Sequence, residues 1–377
     1  MPTPFERSYM RIYLDHNATA PLAYAAREAM TAAAAITGNP SSIHAEGRAA
    51  RGVVDLARAK VAALFGGATD EIVFTSGGTE ADVLGIVGLA RLPGPRRVIT
   101  TAIEHPAVTG AIASLSGEFS IEHVRVDAAG RIELDDLARR AAGGGSLVAV
   151  SAANHELGTI QDVAAIAAIA RAHGWRLFVD AVQAAGRAPL APLTALADAV
   201  AISAHKLGGP AGVGALWIRR GLDLAPLFPS GHQERGRRAG TENVIGIAGF
   251  GAVASFEQPR ADHVRALTAR FEDALVSLGL HVRARTAPRI GNTINVRAPG
   301  ALGESIVIAL DLAGIACSTG AACTSGSVKP SPVLLGLGED ERTAREAVRF
   351  SLGHENTSDE IDRVVAVLPA IVARATR

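Results

Sequence analysis

Four short segments hold residues that could do chemistry, and each has a structural reading beside the chemical one. In Ser203-Ala204-His205-Lys206 a lysine follows a β-branched run and precedes the glycine-rich Leu207-Gly208-Gly209-Pro210. Burial lowers a lysine pKa and suits the amine to Schiff-base chemistry, whereas a solvated loop lysine has no such role. Asp180 closes the apolar stretch before it, with Gln183 about one helical turn further on. A carboxylate there either caps the following turn or serves as counter-ion to a cofactor nitrogen. Ser76-Gly77-Gly78-Thr79 joins an apolar run to a helical pattern with Glu80 and Asp82 in its first turn. That is either a plain turn or a cradle, in which backbone N–H groups and a helix N-terminus meet an anion. Last, Cys323 stands in Ser318-Thr319-Gly320-Ala321-Ala322-Cys323-Thr324-Ser325-Gly326-Ser327, a run too small and polar to pack firmly. A free thiol with a pKa near about 8.5 is mostly protonated at neutral pH, so a base or cation nearby is expected to help it act. Cys317, beside Ile315 and Ala316, reads as buried and inert. No further Cys or His pair accompanies the two cysteines, so no metal site is expected.

The elements that must position these residues are short apolar runs alternating with helical patterns from about residue 50 to 220. The predicted strands are Ile72 to Thr75, Arg97 to Ala102, Leu147 to Ser151, Leu177 to Val179, Ala199 to Ser203 and Ala215 to Ile218. Such alternation predicts an α/β fold with a parallel sheet, whose ligands lie beyond the carboxyl ends of the strands. The residues just past those ends are Ser76 to Thr79, Glu104 and His105, Asn154 and His155, Asp180 to Gln183, and His205 with Lys206. After residue 255 the pattern changes to a helix from Asp262 to Leu278, a strand from Asn292 to Val296 and a helix from Gly303 to Leu312. The cysteine segment, a strand from Ala347 to Leu352 and a helix from Ser358 follow, which reads as a smaller α+β domain.

Composition narrows the function classes. The chain has 377 residues, 48% of them hydrophobic, enough for a large core and for two domains. Its 37 basic and 37 acidic residues leave no positive excess, so general nucleic-acid binding is not expected. No run of about 18 apolar residues marks a membrane span, and the first residues lack a signal-peptide core. With only two cysteines, a reducing cytoplasm is the expected location.

Taken in order, SGGTE, EHPAV, N-x-E-x-G-T, VDAVQ, SAHK, GxxQERGRRAGTEN, GAACTSGS and VRFSLG resemble the pyridoxal-phosphate-dependent cysteine desulfurases of the class V aminotransferase superfamily, the nitrogen-fixation and iron–sulfur cluster type. The resemblance runs from Tyr13-Leu14-Asp15 to Arg349 and beyond. It implies a fold-type I enzyme, active as a homodimer, with a large α/β domain over 15–255 and a small α+β domain formed by 1–14 and 256–377. Residue by residue, it makes Lys206 the partner of the cofactor aldehyde and Asp180 the partner of the pyridinium nitrogen. Gln183 would bond the ring hydroxyl and His105 would stack on the ring. Gly78, Thr79, Ser203 and His205 would hold the phosphate, joined by Thr241 from the other subunit. Arg349 would pair with the carboxylate of L-cysteine, although a strand arginine between Val348 and Phe350 is more often a salt-bridge partner. Cys323 would carry the sulfur outward as a persulfide, with His105 as its helper, to an acceptor protein such as an iron–sulfur scaffold. Arg235, Arg237 and Arg238 form either a solvated face or part of the site lining.

Two features depart from the family pattern. The family reads Asn-Asn-Glu where this chain has Asn154-His155-Glu156, which puts a histidine at a cofactor- or substrate-contacting position. The chain also ends at Arg377, soon after its last helix, which leaves the scaffold partner open. Selenocysteine lyase or class V aminotransferase activity is the alternative within the same fold. A sulfur carrier without turnover is the alternative outside enzymes.

Overall fold

A computed structural model describes residues 11–320 and 329–376, apart from Pro229 and Phe256. Cys323, for which the sulfur-carrying role is expected, lies outside the described residues. The strands are β1 (Ile12–Tyr13), β2 (Ile72–Thr75), β3 (Arg97–Thr101), β4 (Ser120–Val124), β5 (Leu147–Ser151) and β6 (Arg176–Asp180). They continue with β7 (Ala199–Ser203), β8 (Gly214–Ile218), β9 (His281–Val282), β10 (Thr293–Arg297), β11 (Ile315–Ala316) and β12 (Ala347–Ser351). Four helices matter for the site: α1 (Tyr24–Ala34), α2 (Ala45–Phe65), α3 (Gly78–Ala90) and α4 (Pro106–Ala113).

A seven-stranded sheet runs in the order β2-β8-β7-β6-β5-β3-β4. Its central strands are buried on both faces, which is why they read as unbroken apolar runs. The period of two divides each strand between two cores. Val148, Val150, Val200 and Ile202 pack with Val54, Val61 and Phe65 of α2, while Leu147, Ala149 and Ala201 pack with Leu84 of α3 and Val108 of α4. Gly85 of α3 lets that helix lie against the sheet, since a Cβ there would come within 2.4 Å of the Phe178 ring.

Five of the strands, β7, β6, β5, β3 and β4, are parallel, but β8 is antiparallel to both of its neighbours, β2 and β7. The sheet is therefore mixed and mainly parallel, as expected of the fold class. The reversal has a use. The register Thr75↔Gly214 and Ser203↔Gly214 brings the end of β2 to the end of β7, so Gly77 and Ser203 become neighbours. Gly214 makes this possible, because a Cβ there would lie 2.6 Å from the carbonyl carbon of Gly77.

A second, antiparallel sheet has the order β12-β10-β9 and is backed by helices Gln258–Ser277, Gly303–Leu312 and Ser358–Ala375. Phe271, Phe350, Leu275, Val364 and Leu368 lie in its core, and Ile12 and Leu14 of the N-terminal segment join them. β1 pairs in parallel with β11, Ile12 opposite Ile315, which carries the chain after β1 along the boundary between the two sheets.

Several sequence expectations shift. The strand expected at Leu177 to Val179 runs from Arg176 and includes Asp180 itself, and the first helix after residue 255 begins at Gln258 rather than Asp262. Edge strand β4 escapes a reading based on apolar runs, because Ser120, Ile121, Glu122 and His123 all remain at least partly exposed. Helix α1 precedes the expected start of the βαβ pattern and α2 begins before it, and their alanine-rich faces give weak contrast between apolar and polar positions.

Candidate active site

β7 ends at the buried Ser203, and a single 3-10 turn over Ala204–Lys206 swings Lys206 away from the sheet. Its Nζ donates to the carbonyl oxygens of Asn17 at 2.5 Å and Ala18 at 2.7 Å. Burial, helped by the nearby Arg187 and Arg349 charges, lowers the lysine pKa to about 8. Such an amine is partly unprotonated near neutrality, as Schiff-base chemistry requires. His205 places Nδ1 3.2 Å from Thr19 Oγ1, and burial lowers its pKa to about 4.

Asp180 is the last residue of β6, and its Oδ1 accepts a hydrogen bond from Val182 N at 2.9 Å. The turn-capping reading is thus correct, and it does not exclude the other. Burial raises the pKa of this carboxyl, while His105 and Lys206 favour its anion. Two more carboxyls lie behind it. Glu104, which accepts from Ser151 N at 2.9 Å and Thr101 Oγ1 at 2.7 Å, is pushed up to about 7 by burial. Asp82 is also raised by burial, and its Oδ1 has no partner among the described residues. Three buried carboxyls this close cannot all ionise, and Asp180 is the one that faces the cations.

His105 forms the N-cap of α4, its Nδ1 accepting from Ala107 N at 3.1 Å. Its ring meets His155 edge to face, with centroids 5.1 Å apart and planes at 83°. Burial lowers the pKa of both rings, so both are neutral in this setting. Gln183 donates from Nε2 to Asn17 O at 3.1 Å and accepts at Oε1 from Arg187 at 2.8 Å.

Arg349, at mid-strand in β12, donates to Asp15 Oδ1 at 2.8 Å and to the carbonyl of His155 at 3.2 Å. The salt-bridge reading is realised in the structure. Its Nε, however, is buried without a partner among the described residues, so the guanidinium keeps unused donor capacity.

The anion cradle is formed by Gly77 and Gly78 at the start of α3. A Cβ at Gly78 would sit 3.0 Å from Val182 and 3.3 Å from Ser203 Cβ, so this glycine keeps the helix start open next to β7. Thr79 is exposed beside it. Thr241 is exposed as well and lines a hollow of about 80 Å³ with Ser76, Gly212 and Arg238 of its own chain. Of the three neighbouring arginines, Arg238 pairs with Glu80 at 2.8 Å and Arg237 donates to Asp70 O at 2.9 Å. Arg235 adopts a positive φ of 59°. These geometries tie Arg237 to the turn before β2 and Arg238 to the first turn of α3, beside Ser76 and Thr241. Cys317 is only partly exposed, and burial raises its thiol pKa strongly, which fits an inert thiol.

The reading from sequence passed over the segment that ties these groups together, Asp15-His16-Asn17-Ala18-Thr19. Asp15 holds Arg349, and Asn17 holds Lys206 and Gln183 through its carbonyl. The Asn17 amide donates to His155 O at 3.1 Å and Thr293 Oγ1 at 2.8 Å. The only signal was a polar run directly after the apolar β1. A cavity of about 580 Å³ opens beside this segment, lined by His16, Arg187, Lys206, Asn292 and His354 among others.

The arrangement suits a planar, anionic aldehyde cofactor: a depressed lysine, a buried carboxylate and an imidazole pair act on one another, and an open helix N-terminus starts beside Ser203. Comparison with known proteins agrees. Residues 12–364 match the aminotransferase class-V family model, a family that is generally pyridoxal-phosphate-dependent. A cysteine desulfurase of Gluconacetobacter diazotrophicus is 41% identical over 374 residues, covering 96% of this chain and 94% of that protein. The putative cysteine desulfurase IscS 1 of Bacillus subtilis is 39% identical, with coverage of 97% and 100%. Among solved structures, a NifS-like protein superposes with a TM-score of 0.89 at 34% identity, covering 97% of this chain and all 100% of its own. SspA in complex with cysteine superposes with a TM-score of 0.81 at 29% identity, over 92% of this chain and 100% of SspA. By sequence and by fold, the chain belongs to the class-V aminotransferase family and, within it, to the cysteine desulfurases.

Proposed function

We infer that the protein is a cysteine desulfurase that converts L-cysteine to L-alanine and passes the sulfur on as a persulfide. The observation that carries this reading is the juxtaposition of Lys206 and Asp180 at neighbouring strand ends, in a chain with cysteine desulfurase relatives over nearly its full length. Pyridoxal 5'-phosphate fits the residues present. Lys206 would bond its aldehyde, Asp180 its ring nitrogen and Gln183 its hydroxyl. Gly78, Thr79, Ser203 and His205 would hold its phosphate, with Thr241 contributed by a second copy of the chain in a homodimer. Bound there, the cofactor supplies an electron sink that weakens bonds at the substrate's α and β carbons.

The chain's own residues do the rest. Arg349 orients the substrate through its carboxylate, sharing its donors with Asp15. Lys206, with a pKa near the working pH, takes the α proton and returns it. The Asp180 anion would keep the ring nitrogen protonated, while burial favours the protonated forms of Glu104 and Asp82. The Cys323 thiolate attacks the substrate sulfur: an S–S bond forms, the substrate C–S bond breaks, and the carbon gains a proton to leave L-alanine. An external thiol or an acceptor protein, such as an iron–sulfur scaffold, then takes the sulfur. A cytoplasmic setting suits such chemistry.

The test is incubation with L-cysteine and a reducing thiol, assaying alanine and sulfide together. Equal yields that vanish in Cys323→Ala support the reading. Alanine formed without mobilised sulfur, or transfer of the amino group to a keto acid, contradicts it.

A further inference from the structure

Arg187 is a cation of the site with no carboxylate partner among the described residues. It lies in the segment after β6 and shares the wall of the cavity of about 580 Å³ with Lys206. Its hydrogen bonds all go to neutral oxygens. One guanidinium nitrogen donates to Gln183 O at 2.9 Å and to Gln183 Oε1 at 2.8 Å, and the other to His16 O at 3.4 Å. Burial lowers its pKa only to about 10, so it is charged at neutral pH. Buried charges are ordinarily paired, and a cation left without an anion acts on whatever lies near it.

The Gln183 amide shows one consequence. Its Nε2 donates to Asn17 O at 3.1 Å, and its Oε1 accepts from Arg187. A flipped amide would set Oε1 against the Asn17 carbonyl and the NH2 group against the guanidinium, two repulsive contacts in place of two hydrogen bonds. One N–H of Gln183 is therefore aimed at Asn17, and the second is left to give. Asn17 O also accepts from Lys206 Nζ. Through His16 O and Gln183, Arg187 thus braces the short segment that holds the lysine.

We propose that Arg187 is a positioning residue for the reaction: it locks the Gln183 amide as a donor and sets an uncancelled positive charge beside the Lys206 amine. This rests on the cysteine desulfurase reading and deepens it.

The charges around Lys206 show why Arg187 decides the outcome. The groups acting on it are Arg187 after β6, Arg349 on β12, Asp15 after β1 and Asp180 at the end of β6, with His105 and His205 close by. Arg349 and Asp15 form an ion pair, and their effects on the lysine oppose each other. Asp180 favours the ammonium. Burial lowers the pKa of His105, His205 and of His16 beside Arg187, so these rings add little charge at neutral pH. Arg187 remains as the cation without a local anion, and a unit charge at such a site moves a neighbouring amine by about one pH unit.

The full-length chain, freed of cofactor, would be presented with pyridoxal phosphate from pH 6.5 to 10 and its capture followed by visible absorbance. Capture consumes the neutral amine, which condenses with the aldehyde and releases water, so the profile reports the proton on Lys206. Arg187→Gln is expected to move the midpoint up by about one pH unit, slowing capture at pH 7 about tenfold and leaving capture at pH 10 nearly unchanged. Arg187→Lys, which keeps the charge, is expected to hold the parent midpoint. An unmoved midpoint in Arg187→Gln, including capture slowed equally at every pH, overturns the proposal. A rise of one unit in Arg187→Lys overturns it as well, whether or not the glutamine variant folds. Cofactor loss from the loaded protein on dilution reads the amide: it should quicken several-fold in Arg187→Gln, and a parental rate there overturns the lock. A parent that captures no pyridoxal phosphate removes this proposal and the desulfurase reading together. A parent that shows the expected profile but releases no alanine from L-cysteine removes the desulfurase reading alone.

Discussion

The buried Arg58–Glu234 pair and the Arg349–Asp15 pair differ in ways that separate holding a fold from holding a ligand. Arg58 donates two bonds of 2.7 Å to the two oxygens of Glu234, a third to the carbonyl of Ile72, and stacks over Phe74. Glu234 also accepts from Phe74 N, and both side chains are almost fully buried. Neither side chain leaves a buried polar atom without a partner, and the pair sits at the edge strand β2. Arg349 makes one bond to a carboxylate that is 19% exposed, and its Nε is left over. An ion pair with spare donor capacity, close enough to Lys206 for both charges to act on it, is one that an incoming carboxylate can join. Saturation marks the structural arginine, and incompleteness the one poised for substrate.

The contrast can be broken or sharpened by substitution. The largest effect is expected at the lysine held by the segment after β1: Lys206→Ala should lower kcat by about 10⁴ with the fold retained, as measured by alanine release and circular dichroism. Next, Glu234→Ala should destabilise the chain by about 3–5 kcal/mol, because it strands the Arg58 charge in the interior. Urea unfolding would read this, and kcat/KM per folded molecule should stay near its parent value. Arg349→Ala should do the reverse, lowering kcat/KM by about 2–4 kcal/mol, mainly through KM, with a smaller loss of stability. If the two arginine pairs exchange these signatures, the distinction drawn between them is wrong. Asp15→Asn is the finer probe. Removing the competing carboxylate should tighten substrate binding several-fold, about 1 kcal/mol.

The smallest expected effect is on pH dependence. The folded Lys206 pKa of about 8 lies below the usual lysine value of 10.5, so the free-amine fraction rises with pH and levels off above about 8. The rate at which the cofactor-free chain captures pyridoxal phosphate should follow that curve, rather than climbing on toward pH 10. For stability the sign is the same. Between about 8 and 10.5 the unfolded chain binds the extra proton, so the cost of burying the ammonium is full below pH 8 and is relieved as pH rises through that window.

Much of the site was legible because a strand end is a local feature. Asp180, His105 and Lys206 each follow an apolar run and can be placed from a dozen residues. Arg349 could not, since its partner Asp15 is 334 positions away and the chain path through β1 that joins them is set by pairing with β11. The same path hides the role of Asn17, whose carbonyl, not its side chain, contacts Lys206 and Gln183. Strand β4 was missed because an edge strand need not be apolar, and the antiparallel β8 because direction is not encoded in a strand's composition.

The chain has three lysines, Lys60, Lys206 and Lys329, so one chemical trapping experiment bears directly on the placement of the cofactor. The protein loaded with pyridoxal phosphate would be reduced with borohydride, digested, and its labelled peptide identified by mass. The account predicts a single phosphopyridoxyl group, on the peptide containing Lys206. A label on Lys60 or Lys329, both exposed, or no label at all, would contradict it.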